Sequence, residues 1–585
     1  MSDQNKEIAE IFSRIADALE FKNENTFRVN AYRRAARTIL DSSLNLKSFY
    51  EQDKLQEIPG IGAGMSLKIA EYFKTSQVKK LAEATRGIPP GFLNLLKIQG
   101  VGPKTLRLAY EKLKVKNLDN LKKVIDNGRL ARLPGMGERK VDIIARGIAI
   151  FSPDGYRGRL LLGTALPLVE EIIQSLREKL SIKRCIYGLN KIRIIPAGSL
   201  RRMQETIGDL DILATGDSYR EIIEIFTRLP QVKEILAAGT TKASVLLSSA
   251  SGGDHQVDLR VVEPDSFGAA LLYFTGSKAH NIKLRGLAKS QGLKINASGL
   301  FSGAKKIAGL TEEEIYRTMG LPWIPPELRE DRGEIELARK NKLPALIQYN
   351  DIKGDSHVHS HYSDGFNTIE AIARAARKYN YEYIAITDHS RSASYARGLS
   401  PAQLIKQAEE IKLVNKKIKD ITVLGGTEVD ILKDGQVDFP EDVLKQLDLV
   451  VASIHSGFQH EATERILRAM DHPYVNVIGH PTGRLIGQRE GYAGLDLEKI
   501  FKKAAQTGTA LEINSFPDRL DLNDLQIKRA KELGARFVIS TDSHRLEMLD
   551  FIRLGIATAR RGGLTKKDVL NTYPLAEFKK LMKKY

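Results

Sequence analysis

Beyond residue 350 the chain carries six short apolar segments that each close on polar or charged residues: YIAITDHS, ITVLGGTEVD, LVVASIHSG, VNVIGHP, TALEINS and RFVISTDSH. Helical stretches separate them, and strand followed by helix, repeated, predicts a parallel, barrel-like α/β domain whose chemistry sits at the strand C-termini. The full chain has 585 residues, too many for one core, so the barrel must share the molecule with other domains.

The remainder divides by pattern. Residues 5–42 place Ile8, Ile11, Phe12, Ile15, Ala18 and Leu19, then Phe27, Val29, Tyr32, Ala35, Ala36, Ile39 and Leu40, at helical spacing, which predicts two amphipathic helices. Residues 155–262 alternate helical stretches with β-rich runs and read as an α+β unit. Residues 321–349 gather Pro322, Pro325, Pro326 and Pro344 among charges, a composition expected of a linker.

Charge narrows the partner. Lysine and arginine number 90 against 72 acidic residues, a formal +18. Residues 1–350 hold 55 basic and 40 acidic side chains (+15), and residues 351–585 hold 35 and 32 (+3). Such an excess in the first part predicts a polyanionic partner. The one cysteine, Cys185, excludes an intramolecular disulfide and a thiolate metal cluster and fits a reducing cytoplasm. No leader pattern opens the chain and no run of 18 apolar residues occurs, so neither secretion nor a membrane span is expected.

Between residues 55 and 150 one pattern appears three times: Ile58-Pro59-Gly60-Ile61-Gly62, Ile98-Gln99-Gly100-Val101-Gly102 and Leu133-Pro134-Gly135-Met136-Gly137, each followed by a helical run. Glycines permit positive φ in a tight turn and leave the next helix's N-terminal amides open to a phosphate. The pattern resembles the helix-hairpin-helix of DNA-repair proteins, which implies sequence-independent grip on a DNA backbone through Gly60, Gly62, Gly100, Gly102, Gly135 and Gly137. Lys68, Lys104, Arg107, Arg139 and Lys140 add charge beside the hairpins.

Farther on, Gly198-Ser199-Leu200-Arg201-Arg202 precedes Gly208-Asp209-Leu210-Asp211, where strand alternation puts both carboxylates on one face. Asp258 lies in the apolar run Val257 to Val262, where an unpaired carboxylate is costly. Three converging carboxylates are what two hard divalent cations require for nucleotidyl transfer. The string GSLRRMQETIGDLDIL resembles the signature of the family X, or polymerase beta-like, DNA polymerases, and the likeness continues through Tyr273-Phe274-Thr275-Gly276-Ser277, Asn281 and Arg285. The resemblance implies that Asp209, Asp211 and Asp258 are catalytic metal ligands for Mg2+ or Mn2+. It implies that Gly198, Ser199, Arg202 and Gly208 serve the triphosphate, that Tyr273, Phe274 and Gly276 line the sugar pocket, and that Asn281 and Arg285 meet the nascent base pair. Arg260 and Arg285 are expected to touch DNA. Gln256 departs from the basic residue common in the family two positions before the third aspartate, which alters the expected primer grip. Lys68 matches the local position of a Schiff-base lyase lysine, and phosphate binding is an equal reading.

Nine of the eleven histidines follow residue 350. His357 and His359 form an H-x-H pair, Asp364 follows, and later segment ends present His389, Glu428, His455, His480, Asp542 and His544. In a barrel these tips converge, and a nitrogen and carboxylate set without thiolate suits zinc, manganese or iron(II). His361, His460 and His472 read as surface or supporting residues. The constellation resembles the polymerase and histidinol phosphatase (PHP) domain, which implies a distorted (β/α)7-type barrel holding up to three ions and hydrolysing phosphoesters.

The expected architecture is multidomain: a helical DNA-binding, lyase-like domain at 1–85, a helix-hairpin-helix domain at 86–150, a nucleotidyltransferase palm at 151–262, a nascent-base-pair subdomain at 263–320, a linker at 321–350 and a PHP barrel at 351–585. The resemblance implies a monomeric, cytoplasmic repair polymerase that fills gaps in DNA from deoxynucleoside triphosphates, with a separate 3′–5′ exonuclease and 3′-end or abasic-site cleavage. Two rivals compete with it: a barrel acting on small phosphate monoesters, and a DNA-binding scaffold without active centres.

Overall fold

The computed structural model describes residues 3–41, 46–58, 60–98, 101–137, 141, 144–145, 148, 159–187, 192–216, 218–248 and 254–582. The chain forms two compact units, Met1–Gly158 and Arg159–Tyr585.

The first unit is helical and holds two cores. Ile8, Phe12, Ile15 and Leu19 on helix Asp3–Phe21 meet Val29, Tyr32, Ala36 and Ile39 on helix Thr26–Asp41, with Phe12 edge-on to Tyr32 at 5.7 Å between ring centroids. A second core gathers Phe92, Leu106, Val115, Leu121 and Met136, and Phe21 reaches into it against Phe92 and Tyr110. The predicted division near residue 85 thus falls between two cores of one unit.

The second unit contains a five-stranded sheet in the order Arg193–Pro196, Leu210–Thr215, Asp254–Val262, Lys242–Ser248, Val232–Ala238. Only the Leu210–Thr215 and Asp254–Val262 pair is parallel. Helices Leu162–Tyr187 and Tyr219–Thr227 supply apolar side chains to the core of this sheet. A smaller subdomain follows, with helices Phe267–Thr275 and Lys278–Ser290 and a three-stranded antiparallel sheet, Leu293–Asn296, Gly299–Ser302 and Lys305–Ala308.

The expected linker at 321–350 is corrected here. Leu321, Ile324, Ile335 and Ala338 belong to the core of the small subdomain, and helix Glu334–Arg339 is part of it. Its charges are mostly paired inside the fold: fully buried Arg329 binds Glu312 with two nitrogens, at 2.6 and 3.0 Å, and Glu334 binds buried His280 at 2.7 Å. Prolines among charges mimic a linker in composition, but here the charges are satisfied by neighbours.

The last part is a seven-stranded parallel sheet running in sequence order: Gly354–Val358, Tyr383–Ile386, Thr422–Asp430, Leu449–Ser453, Val477–Ile478, Ala510–Asn514 and Phe537–Ser540. A parallel bridge from Val358 to Ser543 links the first strand to the end of the last, so the barrel is nearly closed. The helix Leu575–Leu581 buries Phe578, and Met582 just after it, in a cluster with Tyr383, Leu424, Val477 and Val538. Its lysine face does remain outward, with Lys579 on Asp448 at 2.8 Å.

Sheet unit and barrel share apolar contacts. Ile486, Leu520 and Leu554 of the barrel pack in the core of the five-stranded sheet, and Gly163 approaches Pro517 so closely that a Cβ there would lie 2.6 Å from the ring. Among the described residues no helix is long and apolar enough to cross a membrane.

Candidate active sites

The sheet site arises from register. Asp211 and Asp258 are direct partners on the two parallel strands, and Asp209 lies two residues before Asp211, on the same face. Burial and the charges of Asp209 and Asp258 push the Asp211 carboxyl up to about 6. Asp209 is also raised, by burial and then by Asp258. Burial would raise Asp258 as well, yet hydrogen bonds from Lys242, Gln256 and Ser244 hold it below its ordinary value. The Lys242 amine lies 2.7 Å from one oxygen of Asp258, and Gln256 donates to the other at 2.9 Å. Three carboxylates that oppose one another's ionisation form a site that gains by taking up cations.

The Gly-Ser turn is placed against these carboxylates. Gly198 has φ +61°, and any Cβ there would sit 2.5 Å from an oxygen of Asp211, so only glycine lets the turn approach. The amide of Ala197 donates to the carbonyl of Asp211 at 2.8 Å. Ser199 is half-buried on the short helix Gly198–Arg201. Arg202 donates to Glu330 at 2.9 Å and to the carbonyl of Thr275. Arg561, from the barrel, donates to the carbonyl of Arg202 at 2.7 Å and to Glu330 at 3.1 Å, and its other nitrogen to Asp524 at 2.6 Å. Sequence reading missed Arg561 because it lies 359 residues from Arg202.

Of the remaining predicted nucleotide contacts, Gly276 lies against Arg202 of this turn. Gly276, at φ +67°, brings its Cβ direction to within 3.5 Å of Arg202 and 3.8 Å of the Asn281 amide. Asn281 donates to the carbonyl of Tyr273 at 2.7 Å, and Arg285 donates to Asn281 at 3.2 Å while staying exposed. Tyr273 is exposed, and Phe274 lies under the Arg260 guanidinium, 4.6 Å from the ring centroid. Gly208 faces Arg159, another unanticipated cation, whose charge opposes the rise of Asp209.

In the helical unit the three hairpins share one hydrogen bond: Ile61 to Ile58, Val101 to Ile98 and Met136 to Leu133, each amide donating at 3.0 Å. Gly60 and Gly135 take φ of +90° and +74°. Gly62 and Gly102 cap helices Ala63–Thr75 and Pro103–Leu113 without a side-chain acceptor, leaving their first turns to another partner. Gly137 accepts from Val141 at 3.2 Å. Lys104 is exposed, whereas the Lys68 amine donates to the Gly64 carbonyl at 2.9 Å and lies 5.8 Å from the Tyr32 ring centroid. Gly100, Arg139 and Lys140 lie outside the described residues.

The barrel draws its predicted set together. Three groups have ligand atoms within 4.8 Å of one another: His359, Asp364, His389 and His544; His357, His359 and Glu428; and His389, Glu428 and His455. His480 joins through Glu428 at 3.0 Å, and Asp542 lies 3.2 Å from His359 and 3.7 Å from His357. His357 Nε2, both nitrogens of His359, His389 Nδ1 and His480 Nδ1 are buried without a hydrogen-bond partner, a costly condition that a cation relieves. Burial alone would raise Glu428 and Asp542. The imidazoles facing them hold both well below the usual range, and similarly take Asp364 to about 2 despite its burial. Burial works against protonated His455 and His544, but carboxylates raise them to about 10 and about 9. Burial, then His544 and His389, lowers His359 to about 3, which leaves its nitrogens free to ligate. The residues present therefore fit two or three divalent cations.

Supporting carboxylates escaped the sequence reading. Glu512 accepts from His357 Nδ1 at 2.7 Å and from the amide of His480, and Asp430 accepts from His455 Nδ1. Each fixes an imidazole so that Nε2 points inward. A single carboxylate in a strand carries no spacing signal; the clue was position, at the end of the same tips as the histidines. His480 and Asp542 have φ of +26° and +55° and are pinned by those backbone bonds, Asp542 donating to the His357 carbonyl at 3.0 Å. His361 and His460 are exposed and, with His472, stand outside the groups.

Family models match four stretches: a helix-hairpin-helix domain at 3–78, a SAM-like helix-hairpin-helix tandem at 92–148, the DNA polymerase beta thumb at 270–330 and the PHP domain at 355–516. The thumb match covers most of the small subdomain and runs into the supposed linker. Over 99% of both chains the sequence is 38% identical to the DNA polymerase/3′-5′ exonuclease PolX of Bacillus subtilis (strain 168). DNA polymerase lambda of Arabidopsis thaliana is 26% identical over 56% of this chain and 62% of its own length. A protein named as a probable phosphatase from Thermoanaerobacter sp. (strain X514) is 30% identical over 37% of this chain and 89% of its own.

Proposed function

Because the chain belongs to the family X DNA polymerases that carry a PHP domain, we propose that its two ligand sets run two separate phosphoryl reactions on DNA, nucleotide addition at the sheet and removal of 3′-terminal nucleotides in the barrel. The observation that carries this reading is that both sets are complete: every predicted aspartate of the sheet and every predicted ligand of the barrel sits within its own cluster.

At the sheet, Asp209, Asp211 and Asp258 hold Mg2+ or Mn2+, ions that lower the pKa of a 3′-hydroxyl and neutralise the departing pyrophosphate. Ser199, Arg202 and the Gly198 turn hold the triphosphate, and Tyr273, Phe274 and Gly276 border its sugar. A cation held by Asp258 would have to displace Lys242, whose amine would then be free to meet a phosphate. Gln256 keeps Asp258 oriented and replaces a primer-binding cation with a ligand-positioning amide.

In the barrel, His357, His359, Asp364, His389, Glu428, His455, His480, Asp542 and His544 hold zinc, manganese or iron(II), which supply Lewis acidity and an activated water. Water adds to phosphorus, the bond from phosphorus to the penultimate 3′ oxygen breaks, and that oxygen takes up a proton. A nucleoside 5′-monophosphate leaves and a 3′-hydroxyl remains. Glu512 and Asp430 keep the imidazoles in their ligating tautomers. The same cleavage beside a missing base would process abasic sites.

The hairpins grip the phosphate backbone of gapped or primed DNA, with a monomer in the cytoplasm filling short gaps during base excision repair. Lys68 acts there as a phosphate cation, since its amine is committed to Gly64; a borohydride-trapped adduct with a 5′-deoxyribose phosphate end would restore a lyase role. Asp209→Ala with Asp211→Ala abolishes extension, by at least about 10³-fold, and leaves nuclease activity, whereas His357→Ala with His359→Ala does the reverse. Loss of both activities in either folded variant overturns the two-site reading.

A further inference from the structure

Two exposed aromatic side chains lie on segments bonded to ligand residues of the barrel cluster: Tyr395 is 69% exposed and Phe366 64% exposed. A single exposed ring is ordinary on a protein surface; the position and anchoring of these two are not. The Tyr395 ring centroid lies 6.2 Å from that of His389 and 6.3 Å from that of His455. Its loop closes on the ligand segment, Leu399 donating to the His389 carbonyl at 2.8 Å and Ser390 bridging to Leu399. The Phe366 amide donates to the His544 carbonyl at 2.9 Å, and the Arg545 guanidinium lies 3.5 Å from its ring centroid. The rings of the two ligand histidines to which these segments bond, His389 and His544, lie 6.4 Å apart, and both face Asp364.

We propose that Tyr395 and Phe366 are base-stacking walls that hold the nucleosides on the two sides of the scissile phosphodiester. A phosphodiester presented to the cluster carries one nucleoside on each side, and every base has a π-face that an aromatic ring accepts regardless of sequence. Arg545 pairs with the strand's phosphates while it stiffens Phe366. Each wall hangs from the backbone of a ligand histidine, so base and phosphorus are placed by one rigid frame. A phosphate monoester can fill at most one wall, and the pair therefore selects an oligonucleotide end over a small phosphate ester. This inference rests on the nuclease reading above and names the substrate contacts of that same site.

The test uses the full-length protein and its Tyr395→Ala, Phe366→Ala, Tyr395→Phe and Phe366→Tyr variants, with primer extension as the check that each is folded. Two labelled single strands are compared, one ending in ordinary nucleotides and one ending in two tetrahydrofuran residues that have no bases. Each alanine variant loses about tenfold in kcat/KM on the ordinary end, the aromatic exchanges restore it, and the penalty disappears on the end without bases. A 3′-terminal 2-aminopurine on a strand whose last linkage is a methylphosphonate is quenched on binding to the wild type and less so on binding to either alanine variant. Equal digestion of the ordinary end by wild type and alanine variants, or equal losses on both ends, overturns the stacking role. A wild type that extends primers yet digests neither strand overturns the nuclease reading itself, and the walls with it.

Discussion

The sheet site is three carboxylates on or beside two adjacent strands, with the amine of Lys242 seated on Asp258. The barrel site is nine ligand-type side chains converging from six strands or the loops after them, with Glu512 on the remaining strand braced behind His357. Both serve phosphate chemistry, but they prepare for cations differently. In the sheet a local cation, Lys242, balances Asp258, so a metal brought in with the nucleotide would complete the site. In the barrel, orphaned imidazole nitrogens and ionised carboxylates are fixed in advance, an arrangement that would keep a metal resident while substrate exchanges. A polymerase must release pyrophosphate and step forward at each turnover, which suits cations that leave with the product.

If this contrast holds, bracing should matter most in the barrel. Glu512→Ala should cut exonuclease activity by roughly 10- to 100-fold and lower the metal content of purified protein, with extension unchanged; unchanged metal content in a folded variant would break the contrast. Coupling through Arg561 should be next in size. Arg561→Met frees the carbonyl of Arg202 and should raise the nucleotide KM about tenfold while kcat and exonuclease rate hold, because a buried ion pair loses one partner. A change in the exonuclease alone would show that Arg561 serves the barrel.

The raised Asp211 carboxyl gives a pH signature. Below about 6 it carries a proton in the folded enzyme, so Mg2+ must displace that proton and its apparent affinity should fall up to about tenfold per pH unit under acid conditions. Since the folded value lies above the ordinary carboxyl value, protonation favours the fold at this group, and the loss of extension should precede any change in circular dichroism. Titrating Mg2+ in extension assays at pH 5.5 and 7.5 measures it. The smallest effect belongs to one hairpin cation: Lys104→Ala should weaken gapped-DNA binding a few-fold and reduce the salt dependence by about one phosphate contact.

Much of both sites was legible because their chemistry restricts residue type. Metal ligands come from a short list, and a period of two or an apolar strand ending in His or Asp places them. The three hairpins were legible because one glycine pattern recurs, and its first glycine takes a positive φ at Gly60 and Gly135. What escaped had no local signature. Val232–Ala238, VKEILAA, lacks polar alternation and became a strand only by pairing with Lys242–Ser248. Glu512 and Asp430 are single carboxylates whose roles depend on histidines 155 and 25 residues away. The supposed linker shows the converse failure: Arg329 and Glu334 look solvent-bound until their partners, Glu312 and His280, are known.

The apolar seam between sheet and barrel has a further consequence, for how such a chain can change over generations. Ile486, Leu520 and Leu554 lie in the core of the nucleotidyltransferase, and Gly163 leaves no room between the two parts. A deletion that removed the barrel would open the polymerase core to water and strip Arg561 from its active-site turn. Loss of nuclease activity is thus more easily inherited as replaced histidines in an intact barrel than as a shorter gene, and a silent barrel would persist as a scaffold for its neighbour.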